Sequence, residues 1–160
     1  MLDLKAINTH SIAIMIADIE AAEQQDQRQL CDWMIANVIM KKSALKHEAM
    51  QWRSAQSIIK QRVFWSVQAR TIKAEHQELN THLLEALETR MAGAEEMVQE
   101  MMNWCAAQIG IEDEVLRGRC IQLGERLALY KDYPISKGCT SPYLPIWIES
   151  AVGKKAMEMK

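Results

Sequence analysis

Residues 42–70 read KSALKHEAMQWRSAQSIIKQRVFWSVQAR, and this stretch decides the fold class. It contains no glycine and no proline, and neither residue occurs anywhere in the first 92 positions. A sheet protein of this size would need turn residues about every 8 to 12 positions. Apolar residues instead recur at intervals of three and four, which is the period of an amphipathic helix. The sequence therefore predicts an all-α protein.

Length and composition indicate a single helical domain over 1–160. A chain of 160 residues with 49% apolar content can bury a core of ordinary size. The periodic segments predict a bundle of five or six helices around one long central helix, which would run from near Ser43 towards Arg90. All three prolines lie within 133–145, which predicts an irregular segment there and a short terminal helix over 146–158.

Charge is distributed unevenly along the chain. Residues 41–73 carry a net charge of +7 and residues 74–115 carry −9, although the whole chain has a formal net charge of −2. Cations beside aromatic side chains form a combination that binds phosphates and stacks on bases. Alternatively, the acidic segment folds back on the basic helix and neutralises it within the molecule. The sequence leaves both interpretations open.

The basic helix 41–73 is the predicted nucleic-acid-binding surface. On a helical wheel its main cations lie on one line between two apolar arcs, and they would hold phosphates. An aromatic side chain further along would stack on a base, and Arg62, on the opposite flank, would join only if the strand wraps round the helix. A second cationic set lies in the fifth helix. The predicted binding residues are Lys42, Lys46, Arg53, Lys60, Arg62, Phe64, Trp65, Arg117 and Arg119.

Candidates for catalytic chemistry are few. The chain has four histidines but no Glu-x-x-His pair, no glycine-rich phosphate loop and no Gly-x-Ser-x-Gly element. We therefore predict no metal site, no cofactor and no catalytic residue. Groups distant in sequence can still meet in space, so the sequence favours a protein that is not an enzyme but leaves an enzyme open.

Two functions fit these features. The first is a non-catalytic subunit that binds a nucleic-acid backbone inside a larger nucleoprotein assembly, with other protein subunits as partners. The second is a protein-interaction module, an adaptor or an inhibitor, that uses exposed apolar and methionine-rich helix faces. The sequence shows no secretory signal and no apolar run of membrane-spanning length, and its four dispersed cysteines predict reduced thiols. These features predict a cytoplasmic protein without a membrane partner.

Overall fold

A computed structural model describes residues 6–158 of the chain. Within that range every regular element is a helix, with eight α-helices, three short 3₁₀ turns and no strand. The all-α prediction is confirmed. No helix in the described range is both long enough and apolar enough to cross a membrane. The α-helices are α1 (Thr9–Ala21), α2 (Gln24–Asn37), α3 (Ser43–Ala49), α4 (Ile58–Thr71), α5 (Gln77–Arg90), α6 (Glu96–Glu112), α7 (Glu114–Leu127) and α8 (Leu144–Glu158).

The predicted long central helix is wrong, because the basic segment is broken into several elements. A 3₁₀ turn, Trp52–Ser54, follows α3, and the extended backbone of Ala55, with ψ of 150°, ends that turn. Ser57 then starts α4, since its side-chain oxygen accepts a hydrogen bond from the backbone N–H of Lys60 at 3.1 Å. These breaks carry no glycine or proline, so propensity alone does not reveal them.

The chain divides into two compact units. The first comprises residues 6–68 with 95–98, and the second comprises residues 69–94 with 99–158. The boundaries fall inside α4 and α6, so each of these helices contributes residues to both units. The prediction of one domain over 1–160 stays a prediction.

The first unit has α4 as its buried helix. Seven consecutive α4 residues, 62–68, are buried, so this helix has no solvent-facing side over that length. Helix α1 begins at a capping box, in which Asn8 Oδ1 accepts a hydrogen bond from the Ser11 N–H at 3.0 Å. Each of the first two helices then turns an apolar stripe inward. The buried apolar residues of α1 and α2 are Ile12, Ile16, Ile19, Cys31, Met34 and Ile35.

The second unit joins α8 closely to α7. Residues 128–143 are non-helical, and a hydrogen bond of 2.8 Å from Asn103 Nδ2 to the Pro142 carbonyl anchors the end of that segment. A Cβ at Gly124 would lie 2.6 Å from the Leu144 Cβ and 2.7 Å from the Pro145 Cδ. Any side chain at position 124 would therefore push α8 away from α7.

Replacing Gly124 with Ala is expected to lower the free energy of unfolding by about 1–3 kcal/mol, because the added methyl overpacks this contact. Urea denaturation measures the change. The control is Gly118→Ala on the same helix, where a Cβ has nothing within 4 Å. That control should raise stability by about 0.5–1 kcal/mol, since alanine loses less conformational freedom than glycine in a helix. Equal stabilities for the two variants would contradict the packing described here.

Candidate active site

A charged pair joins α2 to α4 within the first unit. Arg62 Nε donates a hydrogen bond to Asp32 Oδ1 at 3.0 Å, and Arg62 Nη2 donates to Asp32 Oδ2 at 2.9 Å. Two parallel charge-assisted bonds fix both the distance and the plane of the carboxylate. Arg62 Nη1 also donates to the backbone carbonyl of Met97, which anchors the guanidinium at a third point. Asp32 is therefore held in one orientation.

The two members of this pair differ greatly in exposure. The Arg62 side chain is 2% exposed, whereas the Asp32 side chain is 47% exposed. A buried guanidinium is costly unless it is hydrogen-bonded and paired, so Arg62 is restricted to this one arrangement. The carboxylate, by contrast, remains open to a ligand. A rigid, buried cation that holds an accessible carboxylate in place is the kind of arrangement that binding and catalytic sites require.

Neighbouring residues on the two helices explain this asymmetry. Asp32 follows the fully buried Cys31 and precedes Trp33, which is 49% exposed, so the carboxylate leaves α2 at the edge of its buried face. Arg62 is the first residue of the buried stretch of α4. Its long side chain crosses the interior to reach Asp32. The first unit thus places the cation inside and the anion at the surface.

An open cleft of the first unit has a volume of about 360 Å³, and its lining includes residues one helical turn before each member of the pair. Arg28 in its lining precedes Asp32 by one turn of α2, and Ile58 in its lining precedes Arg62 by one turn of α4. Met97, which accepts a hydrogen bond from Arg62, also lines the cleft. The remaining lining residues are Gln24, Gln25, Gln27, Glu95 and Glu96.

Three predicted phosphate-binding residues lie in the first unit with solvent access. Lys46 belongs to α3, Arg53 to the 3₁₀ turn and Lys60 to α4, so they no longer share a single helical line. Arg53 is exposed, and the other two are partly exposed. Lys60 Nζ lies 5.5 Å from the centroid of the Trp52 ring. In the part of the chain that the structure describes, none of the three cations forms a salt bridge.

The other predicted residues of the basic segment have structural contacts. Phe64 is 4% exposed and Trp65 is 2% exposed, and their rings meet edge to face at 5.0 Å. The expectation that they stack on a base therefore lacks an exposed ring, because both fill the core. Lys42 Nζ donates to the backbone carbonyl of Ile7. Arg62 is buried, so its guanidinium faces Asp32 rather than a phosphate.

The second cationic set lies in the second unit. Arg117 Nε donates to the Gly110 carbonyl at 2.8 Å, near the end of α6. Arg119 forms a bidentate pair with Glu88, at 3.1 and 2.7 Å. Both guanidiniums are thus engaged within the protein. A nucleic-acid-binding role for these two residues stays a prediction.

Sequence reasoning missed Asp32 altogether and assigned Arg62 a different role. One indication was available, because Arg62 directly precedes Val63, Phe64 and Trp65, an apolar run typical of a buried segment. A guanidinium at such a position requires a buried acceptor or anion. The partner could not be chosen, since Asp32 lies 30 residues away and many acids were available.

Residues 6–158 contain no group of three His, Cys, Asp or Glu side chains placed to hold a metal ion. Comparison with known families gives a match over residues 10–123, to the family described as DNA alkylation repair enzyme. Neither the search of curated proteins nor the search of solved structures gives a match. The family match covers most of the chain and includes both Asp32 and Arg62.

This match overturns the predicted functions. A repair-enzyme family is not one of non-catalytic nucleoprotein subunits, and it is not one of adaptors or inhibitors. The expected link to nucleic acid agrees with the family, whose description names DNA, while the expected protein partners receive no support. The cytoplasmic location stays a prediction. With more than half of its length matched, the chain belongs to the DNA alkylation repair enzyme family.

Proposed function

We propose that this protein excises alkylated bases from DNA by hydrolysing the bond between the base and the deoxyribose. One observation carries the proposal: the carboxylate of Asp32 is exposed to solvent, and the buried Arg62 holds both of its oxygens. Membership of a DNA repair family supplies the class of substrate. The geometry suggests the kind of reaction.

The chemistry requires a fixed negative charge at the sugar. Alkylation of a ring nitrogen gives a purine a positive charge, so the base can leave with the electrons of the glycosidic bond as a neutral molecule. Positive charge then develops on the sugar, as in other glycoside hydrolyses. A preorganised carboxylate stabilises that charge without reorganising at the moment of reaction. In this scheme a water oxygen bonds to the sugar C1′, and the proton of that water passes to Asp32 and then to solvent.

Transfer of the alkyl group to a cysteine is a different repair chemistry, and the structure disfavours it at this site. Cys31 is the cysteine next to Asp32 in the chain, and its side chain is fully buried. Burial raises the pKa of Cys31 to about 12, so the thiol is protonated at neutral pH. Because the thiolate is the nucleophile, Cys31 is a poor acceptor.

An assay with the intact protein and duplex DNA carrying methylated purines tests the proposal. Excision predicts free methylated base in solution and one abasic site for each base released. Chromatography measures the base, and strand cleavage by alkali measures the abasic sites. Methyl groups recovered on the protein, or unchanged methylated DNA under conditions where the protein binds it, would contradict base excision.

DNA binding by the first unit would use its accessible cations. We propose that Lys46, Arg53 and Lys60 contact phosphates, because they are accessible and have no acidic partner among the described residues. Phosphate contacts position a protein on DNA without reading its sequence. Such a surface suits an enzyme that acts on damaged bases in any sequence context.

Neutralising these three cations together, with Lys46→Gln, Arg53→Gln and Lys60→Gln, is expected to weaken binding to duplex DNA. Each lost phosphate contact should reduce the slope of log affinity against log salt by about 0.9. Fluorescence anisotropy at several salt concentrations measures both quantities. The control removes the same charge from exposed lysines of the second unit, namely Lys131→Gln, Lys137→Gln and Lys154→Gln. Equal slopes for the two triple variants would contradict a dedicated phosphate surface.

A further inference from the structure

The open cleft of the first unit contains an ion pair that the proposed chemistry does not use. Arg28 Nη2 donates to Glu96 Oε1 at 3.5 Å, which joins α2 to the first residue of α6. The Arg28 side chain is 47% exposed and the Glu96 side chain is 80% exposed. Both residues line the cleft. The pair is therefore solvated and held at a long distance.

Charge around the cleft is unfavourable for DNA unless a cation faces the strand. Glu95 and Glu96 are both exposed, and Asp32 adds a third carboxylate one turn from Arg28. A phosphate brought to the reacting sugar would be repelled by these groups. Arg28 is the cation of the cleft lining, and its position one turn before Asp32 suits a phosphate flanking the damaged nucleotide.

We propose that Arg28 binds a DNA phosphate in the cleft and that Glu96 competes with this phosphate for the guanidinium in the free protein. An exposed ion pair at long distance contributes little, because water solvates both partners. An arginine–phosphate contact with two parallel hydrogen bonds is stronger and geometrically defined. DNA binding thus exchanges one partner of Arg28 for another. Glu96 lowers the affinity for DNA in general and so disfavours long residence on undamaged duplex.

This inference rests on the proposed DNA-binding function, but it concerns different residues from those that bind at the basic surface or react at Asp32. Loss of the exchange would change DNA affinity while leaving the chemical step at Asp32 in place. A wild-type protein that binds no DNA would overturn both proposals. If the wild-type protein binds and excises, but substitutions at Arg28 and Glu96 leave its affinity for DNA unchanged, this inference alone is overturned.

The test compares Glu96→Gln with Glu95→Gln, which removes the same charge from the same cleft. We expect Glu96→Gln to tighten binding to a methylated duplex by about three- to fivefold more than Glu95→Gln does, because Glu96 accepts a hydrogen bond from the Arg28 guanidinium. Arg28→Gln should weaken binding and reduce the salt slope by about 0.9. All three residues are exposed or line the cleft, so unchanged thermal melting is expected for every variant.

The double variant Arg28→Gln/Glu96→Gln decides whether the two residues act together. If they compete as proposed, Glu96→Gln in the Arg28→Gln background should raise affinity only as much as Glu95→Gln does in that background. A full Glu96→Gln effect without Arg28 would overturn the exchange, because it would leave only a general charge effect. An unaltered affinity and salt slope in Arg28→Gln would overturn it as well.

Discussion

Asp32→Asn is expected to slow release of methylated base by about 10²–10³-fold at saturating DNA, because the amide cannot stabilise positive charge on the sugar. The substitution changes one oxygen to nitrogen, so the shape of the side chain is preserved. Single-turnover measurements with excess enzyme isolate this chemical step from product release. Affinity for methylated duplex should change much less than the rate, since the charge acts mainly in the transition state.

A matched control for this variant lies on the same helix. Asp26→Asn removes an equal charge from the exposed first turn of α2, away from the pair with Arg62. Its excision rate should stay within a few-fold of the wild-type rate, because water and salt screen the effect of an exposed charge outside the pair. Equal losses in both variants would assign the effect to overall charge. A wild-type rate in Asp32→Asn would remove Asp32 from the reaction.

Arg62→Ala is expected to lower the free energy of unfolding by about 2–5 kcal/mol, because it leaves a cavity in the core and removes hydrogen bonds to Asp32 and Met97. Urea denaturation monitored by circular dichroism measures this loss. Excision should fall as well, since Asp32 loses the group that orients it. Activity must therefore be compared at a temperature where the variant is folded.

Arg62→Met separates packing from positioning. Methionine fills much of the arginine volume with a flexible apolar chain, and the Asp32 carboxylate that remains is 47% exposed, so water can solvate it. We expect Arg62→Met to be more stable than Arg62→Ala, yet to lose excision to a similar degree. Wild-type excision by Arg62→Met would show that Asp32 needs no partner to act. Equal instability of the two variants would show that the hydrogen bonds, rather than volume, stabilise this site.

The helical class was predictable from particular features of the sequence. The absence of glycine and proline over 1–92 excluded a turn-rich sheet protein, and apolar residues at intervals of three and four indicated helices. The breaks around the 3₁₀ turn at 52–54 were not predictable from composition, since each residue there tolerates a helix. A capping serine at position 57 was the one local indication of a new helix.

The candidate site, unlike the helical class, was mostly not predictable from the sequence. The helical wheel assumed one straight helix through 42–64, so the line it drew through Lys46, Arg53 and Lys60 does not continue past the 3₁₀ turn at 52–54. Phe64 and Trp65 lie in the core because α4 has no solvent-facing side over 62–68, and Lys60 lies near Trp52. Asp32 offered no motif, because a single carboxylate gains its role from its partner.

By itself the sequence determined that the chain is helical and that a strongly basic segment precedes a strongly acidic one, because both properties depend on local composition and period. The tertiary structure decided which charge is buried and which is exposed. Arg62 and Asp32 are 30 positions apart, and their pairing depends on how α2 and α4 pack within the first unit. Burial of the guanidinium against an exposed carboxylate is a consequence of that packing, because the choice of partner depends on contacts between distant positions.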